Sequence, residues 1–379
     1  LFTYKFRAYP TPAQATVFGT TLETCRRLYN SLLADRIENH TGFFDQKKSL
    51  VQAKELNKHL RAVHSQVLQD VVLRLDIAYQ AFFTGYSRYP KFRRYGKYRS
   101  FTYPQMGFKL ERSSVRLSKI GRVKLKIHRP IVGRIKRVTV IQDIDEWFVA
   151  ILTDDQNVSI QARDGQVGAD VGVTNVVALS DGTIIEGPRF TRRSVERISS
   201  LQRKLSRKKT SSNNREKARL ALAKAHRVIK RQREDFAHKL SDALTKDNDL
   251  IVFEDLKVGN MMKNHSLASA IMDASWGKLR QLTVYKAERR GGRVMLVNAN
   301  GTSQKCSECG EMVPKKLSER VHDCPRCGLV IDRDVNGARN ILKLGQELAL
   351  AEKQPLLVQR RRISKFAPVK QEARVLRYG

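Results

Sequence analysis

The chain predicts a multi-domain α+β protein, and three observations carry that reading. Its 379 residues exceed what one small core organises. Helical periodicity dominates residues 11 to 85, and short alternating runs follow from about Ser114 to Thr153. Beyond Gly165, apolar strands alternate with helical stretches, and a four-cysteine knot interrupts them.

Residues 2–9, FTYKFRAY, alternate as a strand, and Pro10-Thr11-Pro12 opens a helix to about Glu38. Leu22, Cys25, Leu28, Tyr29 and Leu32 share one face, which makes Cys25 a small core residue. Two more helical patterns cover 47–63 and 65–83. Residues 88–105, RYPKFRRYGKYRSFTYPQ, interleave cations with rings. That mixture suits a surface that meets phosphates and stacks bases, so Arg88, Lys91, Arg93, Arg94, Lys97 and Arg99 are candidate nucleic-acid contacts. A solvated basic loop with its rings tucked inward is the plainer alternative. The runs VRLS, RVKLKIH, KRVTVIQDI and EWFVAILTD predict an antiparallel barrel or sandwich. Strand 2–9 has no local partner, so it is expected to pair with them, the helical block being an insertion.

A linker at about 157–166 precedes QVGADVGVTNVVALSDGTIIEG, two strands bent around a glycine. Residues 190–248 predict a charged helical pair with a polar tip at 211–214. Leu201, Leu205, Leu220, Leu222, Val228 and Ile229 supply its seam, and Arg203, Lys204, Arg207 and Lys208 belong to a basic face larger than solubility needs. DLIVFEDL at 249–256 has the short apolar run of a buried strand; a helix at 275–290, a strand at 293–300 and a helix from about Asn336 to Glu352 follow. Residues 355–379 form a basic tail without sustained period, a candidate for disorder.

Lys and Arg number 72 against 37 Asp and Glu, a formal charge of +35 that would self-repel without a polyanion. Nucleic acid is the expected partner. No 18-residue apolar run and no signal peptide is present, which argues against a membrane role. Four of five cysteines stand in one cluster, which implies a reducing compartment, the cytoplasm, and not a disulfide framework.

Cys306, Cys309, Cys324 and Cys327 are spaced C-x2-C-x14-C-x2-C. Two such turns can aim four thiolates at one tetrahedral Zn²⁺ and leave no open position, so the metal is expected to be structural. Asp170 lies inside an apolar strand, Glu254 ends another, and Asp334 stands beside the start of the last helix. A charge at such strand ends needs compensation. Three oxygen-only donors suit Mg²⁺ or Mn²⁺, and two such ions can serve phosphodiester hydrolysis. Singly, each acid has a structural reading: a turn cap, an ion pair, a helix N-cap. Together, on this order of strands and helix, they resemble the RNase H-like nuclease core. Either acid of Asp332-Arg333-Asp334 can reach such a metal, with Asp334 the better placed; Asp255 should face away from Glu254.

Nearly the whole chain resembles the TnpB family of transposon-encoded RNA-guided nucleases, relatives of the compact type V CRISPR effectors. The stretches that carry the likeness are YKFRAYPTPAQ, RYPKFRRYGKYRSFTYPQ, GADVGVTNVVALSDG, QREDFAHKLS, VFEDLKVGNM, SWGKLRQLTVYKA, the CSECG and CPRCG knuckles, and DRDVNGARNIL. The resemblance implies a wedge-type β-barrel at 1–10 and 105–160, a helical recognition insert at 11–104, a RuvC-like core at 161–300 and 331–354, and a zinc ribbon at 301–330. It implies Asp170, Glu254 and Asp334 as a catalytic metal-binding triad. It implies a guide RNA from the transposon end, double-stranded target DNA cut beside a short motif, and a prokaryotic cytoplasmic location. By position within the matching segments, Gln69, Thr102 and Tyr103 would lie near that motif duplex. A nuclease-inactive RNA-guided regulator and a DNA-joining transposase are the alternatives; a missing acid would mark the first, and none is missing.

Overall fold

A computed structural model describes residues 1–155, 163–172, 175–256, 271–272, 275–298, 300–316 and 319–353. Most of the linker at 157–166, the end of the VFEDLKVGNM stretch and the tail at 355–379 lie outside the described residues. The chain divides into two compact units, Leu1–Val158 with Glu196–Val228, and Ser159–Val195 with Ile229–Gly379.

The first unit opens with β1 (Phe2–Tyr9) and the helices α1 (Pro12–Glu38), α2 (Phe43–Leu56), α3 (Lys58–Ala62) and α4 (Ser65–Phe83). Thr11 caps α1 through a capping box with Gln14, and Pro12 takes the first turn, where no N–H is missed. The helical pattern at 47–63 is broken because Asn57 ends α2 and accepts the N–H groups of His59 and Leu60 to start α3. Strands β2 (Ser100–Tyr103), β3 (Phe108–Glu111), β4 (Ser114–Leu117), β5 (Gly121–Lys126), β6 (Ile135–Asp143) and β7 (Glu146–Thr153) follow.

These strands form one antiparallel sheet ordered β2-β6-β7-β1-β5-β4-β3. Phe2 pairs Thr153 and Arg7 pairs Lys126, so β1 lies between β7 and β5, as its lack of a local partner implies. Alternation sets the faces: Tyr4, Phe6 and Ala8 of β1 and Trp147, Val149 and Ile151 of β7 enter the core with Phe18, Cys25 and Leu68. Each large apolar side chain buried there contributes about 1.5–3 kcal/mol. Strand β2, inside the basic segment, and β3, just beyond it, are additions to the strands that the alternation from Ser114 predicts.

The second unit holds β8 (Gly165–Asp170), β9 (Asn175–Leu179), β10 (Ile184–Glu186), β11 (Asn248–Glu254), α7 (Trp276–Arg290), β12 (Arg293–Val297), β13 (Val321–Asp323), β14 (Val330–Asp332) and α8 (Arg333–Lys353). Helices α5 (Phe190–Ser206) and α6 (Asn213–Asp247) contribute residues to both units. Five strands form a sheet ordered β10-β9-β8-β11-β12. β8, β11 and β12 run parallel, while β9 runs antiparallel to β8 and to β10. Leu240, Leu244, Trp276 and Leu279 of α6 and α7 pack with Ile251 and Phe253 on one side. Ile341 and Ala349 of α8 pack with Leu250 and Val252 on the other. Covered on both faces, β11 is apolar throughout its middle, which explains the run LIVF.

Candidate active site and metal centre

Ala169 pairs with Phe253, so Asp170 and Glu254 emerge side by side at the carboxyl ends of two parallel strands. Asp334 lies in the first turn of α8, which packs against β8. That packing is close: a Cβ at Gly168 would lie 2.1 Å from the Ala338 carbonyl oxygen, and one at Gly337 would lie 2.8 Å from Asp170 Oδ2. The glycines let the helix bring Asp334 to the strand ends.

The structure separates the two acids of Asp332-Arg333-Asp334. Asp332 Oδ1 accepts the N–H groups of Asp334 (2.8 Å) and Val335 (3.2 Å), the work of a helix N-cap. Asp334 is left to the carboxylate cluster. Asp255 points elsewhere and pairs with Arg280 at 3.2 Å.

Asp170 makes no ion pair among the described residues. Burial, then the charges of Asp334 and Glu254, push its carboxyl up to about 7, against a smaller opposing effect of Arg333. Burial raises Glu254 as well. The two charges act on Asp170 because strand pairing and the packing of α8 on β8 bring the three predicted acids to one end of the sheet. Asp334 Oδ2 accepts from Asn175 Nδ2 at 3.3 Å and meets Arg320 Nη1 at 3.5 Å. Sequence reasoning missed both: Asn175 sits in GVTN without a chemical signature of its own, and Arg320 reaches the site only through the fold of the ribbon. Oxygen donors fit hard divalent cations, and Asp170, Glu254 and Asp334 are residues that could hold them.

The four cysteines converge. Their sulfurs all lie within 4.8 Å of one another, with Cys306 to Cys327 and Cys309 to Cys324 both at 3.6 Å. Tetrahedral Zn–S bonds of about 2.3 Å require sulfurs about 3.8 Å apart, so the set fits zinc with no position left for substrate. The antiparallel pair β13 and β14 carries the second knuckle directly into Asp332 and α8.

In the first unit, Arg88, Lys91, Arg93, Arg94, Lys97 and Arg99 are exposed, as are Arg203, Lys204, Arg207 and Lys208 around the end of α5 and Gln69 on α4. Tyr86, Phe92 and Tyr95 are exposed among the cations of the first group. Arg26, Tyr95, Lys97, Arg99 and Arg219 line a cavity of about 620 Å³. Thr102 and Tyr103, expected near the motif duplex, are buried in the chain by itself. They belong to β2 and are 3% and 1% exposed; Thr102 accepts from Arg74 Nη2 at 2.7 Å, and Tyr103 donates to the Ser118 carbonyl at 2.8 Å. Their side chains pack inward, because the cation–ring mixture ends where alternation begins.

Three family models match the chain: one described as "Helix-turn-helix domain" at residues 1–42, one as "Probable transposase" at 153–265, and one as "Cas12f1-like, TNB domain" at 276–341. "Putative RNA-guided DNA endonuclease InsQ" of Escherichia coli K12 is 34% identical over 369 residues, covering 90% of this chain and 92% of its own. "Putative RNA-guided DNA endonuclease" of Streptomyces pristinaespiralis is 35% identical, covering 90% and 89%. In fold, the chain is similar to the protein of a Cas12f1-sgRNA-target DNA complex, with a TM-score of 0.56 at 14% identity over 87% of this chain and 82% of that one. With full-length relatives above 30% identity and the IS605-type model across its middle, the chain belongs to the TnpB family.

Proposed function

We propose that this protein is a transposon-encoded, RNA-guided DNA endonuclease that cuts target DNA beside a short motif by divalent-metal phosphodiester hydrolysis. The observation that carries the reading is the placement of Asp170, Glu254 and Asp334 at one end of the sheet, with no ion pair at Asp170 among the described residues. The names of its full-length relatives support the same activity.

The core is RNase H-like, of the RuvC type. Its support is the strand order β10-β9-β8-β11-β12, with β9 alone reversed against both neighbours and the acids at the ends of β8 and β11 and at the start of α8. The seven-stranded sheet is the wedge, α1 to α4 the recognition insert, and 301–330 the zinc ribbon. Divalent cations, when bound, supply charge for activating water and for neutralising the leaving oxygen. The protein's own part is positional. The parallel strands hold Asp170 and Glu254 side by side, and α8, capped by Asp332, holds Asp334 against them. Asn175 and Arg320 orient the Asp334 carboxylate. Products carry 5′-phosphate and 3′-hydroxyl ends.

The excess positive charge serves a guide RNA copied from the transposon end and the guide–target heteroduplex, through backbone contacts of Arg88 to Arg99 and of Arg203 to Lys208. Gln69 meets the motif duplex, a reading supported by its exposure on α4. The test is purified protein with and without its copurifying RNA on a supercoiled plasmid bearing the complementary target. Cutting is expected only with RNA and Mg²⁺ or Mn²⁺; equal cutting without RNA would end the guidance reading.

A further inference from the structure

The first zinc knuckle is gripped by one stripe of α8. Asn336 Oδ1 accepts the N–H of Ser307 at 2.8 Å, and its Nδ2 donates to the carbonyls of Lys305 (2.8 Å) and Thr302 (3.4 Å). One turn on, Asn340 Nδ2 donates to the same two carbonyls, at 2.7 Å to Lys305 and 2.8 Å to Thr302. A further turn on, Lys343 Nζ donates to the Ser307 carbonyl. Residues spaced by four and three share one helix face, so a single face holds the loop.

Three features set this apart from a routine loop anchor. Asn336 and Asn340 are 0% and 7% exposed, and Ser307 is 2% exposed, so water cannot replace the contacts. Only one orientation of the Asn336 amide satisfies an N–H on one side and two carbonyls on the other, which fixes the side chain. Finally, Lys305 and Ser307 are the two chain neighbours of Cys306, while Asn336 lies two residues beyond Asp334 on the same helical turn.

We propose that Asn336, seconded by Asn340, is a positioning residue that transmits the geometry of the zinc knuckle to the Asp334 carboxylate. The proposal rests on the nuclease reading of the triad. With the clasp closed, the loop around Cys306 and the first turn of α8 move as one body, and the register of Asp334 against Asp170 and Glu254 is set by a metal that touches neither substrate nor reaction. With the clasp open, zinc stays bound by its four thiolates, but the start of α8 gains freedom that the carboxylate site cannot tolerate.

The test uses the full chain loaded with its copurified RNA, comparing wild type, Asn336→Ala and Asn340→Ala. Expected for Asn336→Ala are retained zinc, target binding within about twofold, a single-turnover cleavage rate at saturating target lower by about 10–100-fold, and a raised Mg²⁺ half-saturation point, in line with residues that orient metal ligands from behind. Asn340→Ala should show the same pattern more weakly, since it removes only the repeated carbonyl contacts. A merely structural role would instead lower zinc content, binding and rate together. Unchanged rate and Mg²⁺ dependence in Asn336→Ala, or a rate loss that tracks zinc loss in both variants, overturns the proposal. If Asn336→Ala does not fold, Asn340→Ala decides by the same criteria. If RNA-loaded wild type does not cut, the nuclease reading fails, and amide exchange judges the clasp alone: Ser307 N–H protection unchanged in Asn336→Ala overturns it.

Discussion

Asp70 and Asp170 are both held largely out of water, one in each unit, and the protein compensates them in opposite ways. Asp70 receives Arg74 Nε at 2.6 Å on the next turn of α4. The same guanidinium donates to the Ser100 carbonyl at 2.9 Å and to Thr102 Oγ1 at 2.7 Å, and Thr102 in turn meets Thr139 at 3.0 Å. Burial raises the Asp70 carboxyl, and Arg74 works against that rise. At Asp170 burial acts in the same direction, but the nearest strong charges are acids that add to it. A buried charge closed by its own chain is architecture. One with further negative charge beside it fits the proposed cation site.

The comparison breaks most visibly at Asp170. Asp170→Asn should lower guided cleavage by about 10⁴-fold while target binding persists, as expected when a group acting only in the chemical step is removed. Gel-resolved cleavage beside a binding assay checks this, and a variant that still cuts at a comparable rate would remove Asp170 from the site. At Asp70 the effect should fall on the fold. Asp70→Ala leaves the partly buried Arg74 without its carboxylate, at a cost of about 1–3 kcal/mol, read as a lower denaturant midpoint. Cleavage well below that midpoint should persist, because the contacts of Arg74 all lie within the first unit.

Zinc removal sharpens the second unit's side of the contrast. Cys306→Ser should reduce stability and cleavage together, the latter by about tenfold or more, since the knuckle stands behind Asp334. Unchanged folding and cleavage after zinc loss would reduce the ribbon to an independent finger. The smallest effect concerns pH. In metal-free protein burial, with the charges of Asp334 and Glu254, pushes the folded Asp170 carboxyl up to about 7 from its ordinary value of 3.8, so between these values the folded state binds more protons than the unfolded. Stability is then fully present at the acid end and is lost as pH rises towards 7. With a pKa unit near 1.4 kcal/mol, and water reaching the strand ends, the fall should be about 2 kcal/mol. Melting curves from pH 4.5 to 7.5 without Mg²⁺ should show this slope, and Asp170→Asn should remove it.

Much of this contrast is legible along the chain, and the rest is not, for identifiable reasons. Both pairs of cysteines are local motifs, so their convergence follows from short-range turn geometry. Asp170 and Glu254 stand out because an acid at the end of an apolar run is conspicuous at any distance. The end of the exposed basic stretch is not legible along the chain: Arg88, Lys91, Arg93, Arg94, Lys97 and Arg99 are exposed, while Thr102 and Tyr103 are buried, because the pairing of β2 with β6 is a contact between residues nearly forty positions apart. Arg320 and Asn175 reach Asp334 from segments that carry no pattern of their own, and Asn336 reads as an ordinary helical residue until the knuckle is folded against it.

The sequence by itself determined an excess of 35 positive charges, which calls for a polyanion, and also the paired spacing of the four cysteines and the three acids at strand and helix ends. These are properties of composition and of short spacing, and folding does not alter them. Only the tertiary structure decided which acid of Asp332-Arg333-Asp334 faces the cluster, since that depends on which carboxylate α8 consumes as its own cap. Only the tertiary structure decided that Asp70 is satisfied and Asp170 is not, because compensation of a buried charge depends on what lies across space from it. The chain names the charged groups, and the fold sets the distances between them.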